Sequence, residues 1–338
     1  MTLTIRDIAQ MAGVSKATVS KVINHYEGVN EQTKRKVMHI IEKTGYQPTF
    51  SAKSLATNKS GLIGLIYAGE TNVKFNHPFF SEVISTFQKN IVGLGYDIII
   101  FSNEPSVRKN VDYLARCRHF RLDGCLIVAG EEIEQAVMEL DQSKIPCVGI
   151  DIKLTGKNSA FVMTDNLMVS QLAVEHVYEE ACGEIAFIAG KKTSEISNLR
   201  LEGFLRAMKQ RKQPIRPEWI AHGDFFEKSG YESMKRILQS REIPKAVIAA
   251  SDMMALGAMR AIKETGRRIP RDIKVVGCDD VEACRYSEPT LSTVKQDKQE
   301  LGRIAAKKLN DLITKETCSE PSIVKPELVI RHSSMNSM

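Results

Sequence analysis

From residue 61 onward the chain repeats one pattern: a short apolar run, a polar break, then a longer stretch with helical periodicity. The runs are GLIGLIY, YDIIIFS, DGCLIV, PCVGI, EIAFIAG, KAVIAA and IKVVGC. Strands that are apolar throughout must be covered on both faces, and amphipathic helices lie between these runs to cover them. The sequence therefore predicts an α/β fold of doubly wound parallel sheets. Two consecutive sets of such units predict two similar subdomains with a cleft between them. In sheets of this kind ligands bind outside the carboxyl ends of the strands.

Composition narrows what such a chain can be. With 338 residues, 43% of them apolar, it has enough material for more than one core. Charged residues make up 26%, and no apolar run approaches the ~20 residues that cross a bilayer, which excludes a helical membrane protein. The start MTLTIRDIAQMAG lacks a basic segment followed by an apolar one, so a cytoplasmic location is expected. The seven cysteines are scattered and form no C-x-x-C pair, as expected of reduced, buried thiols without a zinc cluster.

Charge is unevenly placed. Residues 1–60 hold nine Lys/Arg against four acids, whereas residues 61–338 hold 38 against 37. A small basic head precedes a nearly neutral body, and a head of that kind suits a polyanion, most simply nucleic acid. Three short helices are legible in it. Ile5, Ile8, Ala9 and Ala12 share one helical face behind a Thr4/Asp7 capping signal, and Gly13 stops that helix. Ser15 caps a second helix with Val19, Val22 and Ile23 inward, and Asn30 a third with Val37, Ile40 and Ile41 inward.

Two helices joined by a tight turn are a helix-turn-helix, whose second helix presents its N-terminal residues to base edges in the major groove. On that reading Lys16, Ala17 and Lys21 face bases, while the hydroxyls of Ser15, Thr18 and Ser20 suit phosphate oxygens, helped by the positive helix N-terminus. The string DIAQMAGVSKATVSKVIN resembles the headpiece of the lactose-repressor/galactose-repressor family of bacterial transcription regulators. Lys21 stands where that family commonly has arginine, and lysine lacks the bidentate fork that reads guanine. Thr4 and Asn24 complete the DNA-facing set that the resemblance implies. The segment QPTFSAKSLAT lies where the family has a hinge helix that pushes a leucine into the minor groove; Leu55 matches that wedge and Ala52 its small neighbour.

Beyond the strands of the body come His77-Pro78-Phe79-Phe80, Asp151, a loop to Arg200, Ser251-Asp252 and Asp279-Asp280. Acids, an arginine and aromatic rings suit a polyhydroxylated ligand, and a sugar is the natural expectation. Asp252 is expected to cap the helix that follows it, and Phe79, Phe80 and Phe225 could equally be core. HPFFSEV, LRLEGF, SDMMALGAMRAI, VVGCDD and LSTVKQD are similar to family motifs, which implies effector contacts from Asp151, Arg200, Phe225, Asp279 and Gln296. Ser251 stands where many sugar-binding members have Asn.

The resemblance further implies a headpiece over 1–48, a hinge over 49–60 and an effector-binding and dimerisation domain over 61–338. Within that domain it implies an N-terminal subdomain of about 61–160 plus 293–320, and a C-terminal one of about 161–292 plus 321–332. Two headpieces on a pseudo-palindromic operator in double-stranded DNA imply a homodimer. The chain ends shortly after PELVIRH, so no C-terminal tetramer helix is expected. Neither G-x-G-x-x-G, G-x-S-x-G nor H-E-x-x-H occurs, so no enzyme, catalytic residue, metal or cofactor is expected. Two other readings share the body: a solute-binding protein with no DNA role, and a family regulator whose corepressor is a phosphoprotein of sugar uptake.

Overall fold

The computed structural model describes residues 3–23, 26–46, 59–68, 77–101, 112–129, 134–181, 183–315 and 320–335. Asn24, Ala52 and Leu55 lie outside the described residues, as does most of the expected hinge. The chain divides into two compact units, one built on Met1–Gly61 and the other on the body from Leu62.

The small unit holds α1 (Ile5–Ala12), α2 (Lys16–Ile23) and α3 (Glu31–Thr44). Each begins where a polar side chain can satisfy free backbone N–H groups. The Thr4 backbone N–H donates to the Asp7 carboxylate at 2.8 Å, closing a capping box. Ser15 Oγ accepts from the Thr18 N–H at 3.0 Å, and Asn30 Oδ1 from the Thr33 N–H at 2.7 Å. Gly13 ends α1 in the left-handed region at φ 64°, where a side chain would be strained. Ile8, Ala9, Ala12, Val19, Val22, Val37 and Tyr46 form the shared core.

The body contains β1 (Leu62–Ala68), α4 (Pro78–Gly93), β2 (Asp97–Phe101), α5 (Tyr113–His119), β3 (Gly124–Ala129), α6 (Gln135–Asp141), β4 (Cys147–Ile150) and β5 (Ser159–Thr164). It continues with α7 (Asn166–Ala181), β6 (Ile185–Ala189), α8 (Glu195–Gln210), β7 (Ile220–His222), α9 (Glu227–Ile237), β8 (Ala246–Ala249), α10 (Asp252–Glu264) and β9 (Lys274–Asp279). Then come α11 (Ala283–Tyr286), β10 (Ser292–Lys295), α12 (Lys298–Lys315), β11 (Ser322–Val324) and β12 (Glu327–Val329).

Two six-stranded sheets result, in the orders β11-β5-β4-β3-β1-β2 and β12-β10-β9-β8-β6-β7. All neighbours are parallel except β10 and β12. The seven apolar runs are seven of these strands, and central ones such as β4, β6 and β8 are buried along their whole length. Burying each Val, Leu or Ile contributes roughly 1.5–3 kcal/mol. α12 lies under the first sheet through Leu301, Ala305, Leu309 and Leu312.

The strand pairing moves the expected subdomain boundaries. β5 carries the first sheet to Thr164, past the expected limit near residue 160. β10 pairs with β9, Val294 opposite Cys278, so the second sheet keeps residues 292–295 and the chain crosses back only at α12. β11 pairs with β5 in the first sheet, although residues from 321 were expected in the second. An apolar run shows that a strand exists; which strand it pairs with is decided by contacts far away in sequence.

Candidate functional site

In the small unit, the outer face of α2 carries Lys16, Ala17 and Lys21 exposed, with Thr18 and Ser20 half-buried. Three hydroxyls of the expected DNA-facing set are engaged locally in this structure. Thr4 Oγ1 donates to Asp7 at 2.7 Å, and Ser15 Oγ and Thr18 Oγ1 lie 2.9 Å apart at the α2 cap. What α2 offers outward is therefore two ammonium groups and the positive end of a helix.

A second constellation forms in the body where the two sheets end. Asp151 follows β4 of the first sheet at φ 55°, and Asp279 closes β9 of the second at φ 122°. Between them, Arg200 projects from α8, only 3% exposed. Its Nε donates to Asn166 Oδ1 at 2.8 Å, its Nη1 to the Ala250 carbonyl at 2.5 Å, and Nη1 lies 3.8 Å from Asp279 Oδ1. Gln296 Nε2 donates to the same Asp279 oxygen at 2.6 Å.

These bonds leave several buried atoms unused. Asp151 Oδ1, Asp279 Oδ2 and Gln296 Oε1 have no hydrogen-bond partner among the described residues, and neither ring nitrogen of His77 makes a well-formed bond. His77 precedes α4, its ring 5.7 Å from that of Phe80 and 5.4 Å from that of Phe226 across the junction. Burial lowers its pKa below the ordinary histidine value, although Asp279 and the Phe225 carbonyl pull the other way. Burial pushes the Asp151 carboxyl up to about 7, with Arg200 opposing that rise and Asp279 adding to it. Burial also works against the Arg200 charge, but Cys278, Asp279 and Asp151 hold its pKa above the usual value.

The remaining expected residues divide. Phe225 sits at φ 71° with the far end of its ring against Gly190, where an added Cβ would come within 2.2 Å of it. Phe79 and Phe80 pack edge to face, centroids 5.0 Å apart, and belong to the core of the first sheet. Ser251, not Asp252, caps α10: its hydroxyl accepts from the Met254 N–H at 3.2 Å and donates to the Phe225 carbonyl at 3.0 Å. Asp252 faces inward instead, taking the Val281 N–H at 2.9 Å and the Thr293 hydroxyl at 2.5 Å. That change follows from helix register: Asp252 is the first residue of α10 and Ser251 holds the cap position, so the buried Asp252 carboxylate takes its donors from other elements. His77 was expected at this end of the first sheet as part of the His77-Pro78-Phe79-Phe80 run, without a role of its own, whereas Asn166 was not expected here.

Helix-turn-helix head and two-sheet sensor body define a class, DNA-binding regulators built on a periplasmic-binding-protein-like domain. A family model described as bacterial regulatory proteins, lacI family, matches residues 4–49, and one described as a periplasmic binding protein-like domain matches residues 174–334. Over 333 residues the chain is 36% identical to the HTH-type transcriptional repressor PurR of Photorhabdus laumondii subsp. laumondii, covering 98% of this chain and 96% of that one. It is 33% identical to the PurR repressor of Pasteurella multocida, covering 98% of each. The lac repressor dimer bound to operator and the anti-inducer ONPF superimposes with a TM-score of 0.86 at 27% identity, over 99% of this chain and 100% of that one. A complex of the transcriptional regulator CelR with cellobiose gives 0.71 at 26%, over 98% and 99%. The chain belongs to the lacI family of bacterial regulatory proteins.

Proposed function

We propose that this DNA-binding transcriptional repressor holds a sugar or related hydroxyl-rich metabolite between its two sheets, and that occupancy changes its affinity for operator DNA. One observation carries the ligand reading: unpaired acceptors on Asp151, Asp279 and Gln296, with His77 beside them, converge at the carboxyl ends of both sheets. Each buried polar atom left without a partner costs about 1–3 kcal/mol, which a ligand offering several donors recovers. Arg200 orients the acids and Phe225 supplies an apolar face. Phe79 and Phe80 support the site from beneath, and Ser251 does so through the Phe225 carbonyl. The cellobiose held by CelR is a ligand of this chemistry.

On the DNA side Lys16, Ala17 and Lys21 face base edges. Ser15, Thr18 and Ser20 lie along the phosphates, and Thr4, Asn24, Ala52 and Leu55 belong to the same DNA-facing set by resemblance. A homodimer places two such heads on a pseudo-palindromic operator, as the lac repressor dimer sits on its operator. No helix among the described residues is long and apolar enough to cross a membrane, and a repressor works in the cytoplasm with the DNA. The test is thermal-shift screening of the full chain against neutral sugars, sugar phosphates, nucleobases and polyols, with operator retention measured beside it. A neutral sugar should raise the melting temperature and alter retention. A response confined to nucleobases would replace the sugar as the ligand, and no response to any compound would remove the ligand role.

A further inference from the structure

Lys298 opens α12, at the place where the chain leaves the second sheet for the first. Its side chain is buried, and its ammonium reaches three oxygens on two other elements. It donates to the Asp279 carbonyl at 3.0 Å and the Asp280 carbonyl at 2.6 Å, and it pairs with Glu82 Oε2 of α4 at 3.3 Å. Three partners match the three donors of a lysine.

The two carbonyls explain why a cation is needed there. Asp279 and Asp280 take successive positive φ values of 122° and 53°, conformations that cost a non-glycine residue of order 1–3 kcal/mol each. Their carbonyl oxygens converge on one point, where like dipoles repel. An ammonium at that point turns the repulsion into two charge-assisted hydrogen bonds. The same backbone turn delivers the Asp279 carboxylate to Gln296 and Arg200 and leaves its Oδ2 unpaired.

We propose that Lys298 is a positioning residue for effector binding: it clamps the Asp279–Asp280 turn so that the carboxylate faces the site, and through Glu82 it ties that turn to α4 of the other subdomain. The proposal rests on the ligand role of Asp279 given above. The carbonyl contacts carry the clamping, because Glu82 is 48% exposed and an ion pair that open to water contributes little.

Hydrogen–deuterium exchange on the ligand-free full chain reads the clamp directly. Lys298→Met should speed exchange in the 279–284 segment at least tenfold, Lys298→Arg should restore most of the protection, and Glu82→Gln should change it less than threefold. Lys298→Gln serves where the Met variant does not fold. In a second arm D-ribose, cellobiose and adenine are titrated. For any of these that binds the wild type, Lys298→Met should weaken binding at least tenfold while ligand-free operator retention stays within twofold. Unchanged exchange at 279–284 in both neutral variants would overturn the proposal, as would equal acceleration throughout the body or no rescue by arginine. If wild type binds none of the three compounds, the sugar reading fails for those probes, and the exchange arm still decides whether Lys298 clamps the turn.

Discussion

Asp151 and His77 meet the same buried junction with opposite proton preferences. The native Asp151 carboxyl titrates near 7 against an ordinary 3.8, so between those values the folded chain keeps a proton that the unfolded chain has lost. Its contribution to stability is complete below about pH 4 and is lost as pH rises through 7. His77 titrates below its ordinary 6.5; the folded chain there gives up a proton that the unfolded chain holds, and stability falls as pH drops through that range. Asp151→Asn removes the first contribution and leaves the second. Relative to wild type, the melting temperature of Asp151→Asn should therefore climb between pH 5 and 8, by an amount reflecting on the order of a few kcal/mol. Parallel melting curves across that interval would show that Asp151 is not sealed from water. At the same scale, Asp279→Asn should abolish the change in operator retention on adding a compound that wild type binds, with ligand-free retention unaltered. A retained response would take Asp279 out of the ligand contacts.

Helices α9 and α10 show how little room an element has once it is packed. A Cβ at Gly257 would lie 2.0 Å from the Glu227 carbonyl oxygen and 2.6 Å from the Tyr231 nitrogen, so the two helices touch backbone to backbone. Gly257→Ala should destabilise by about 1–3 kcal/mol through overpacking. Gly93, at the exposed end of α4, has nothing within 4 Å of its virtual Cβ, and Gly93→Ala should stabilise by about 0.5–1 kcal/mol through helix propensity. Denaturant midpoints check both signs, and a neutral Gly257→Ala would mean that the helices can separate freely. Much of the element level was legible in the sequence, because caps, stops and apolar periodicity are local: Ser15, Asn30 and Gly13 act where their spacing predicts. β5 and β7 escaped notice because SAFVMT mixes polar with apolar residues and IAH is short. Asp151, Arg200 and Asp279 stood out by lying beyond strand ends. The run that holds His77 stood out in the same way, but Asn166 and Lys298 did not, because each owes its role to a group facing it from another element. The subdomain boundaries were misplaced for the same reason.

For the whole molecule, charge and symmetry make one linked prediction. The basic head carries nearly all of the excess charge and the body almost none, so operator affinity should depend steeply on salt through the head alone. A dimer making about 6–10 phosphate contacts loses roughly 10³–10⁵ in affinity between 50 and 200 mM salt. Lys16→Ala or Lys21→Ala should weaken discrimination at one operator position by about 1–3 kcal/mol if the side chain reads a base. If it touches only phosphate, binding should weaken uniformly across sequences and the salt slope should fall by about one. Neither change should touch the response set in the body. Two heads related by a twofold axis read half-sites that repeat with the helical turn of DNA, so deleting one half-site should cost most of the specific affinity. Fragment retention with full and half operators, at matched protomer concentration and several salt concentrations, measures both parts. Equal affinity for the two fragments would mean that a single head suffices, and the dimeric reading of the operator would fail even if the salt slope held.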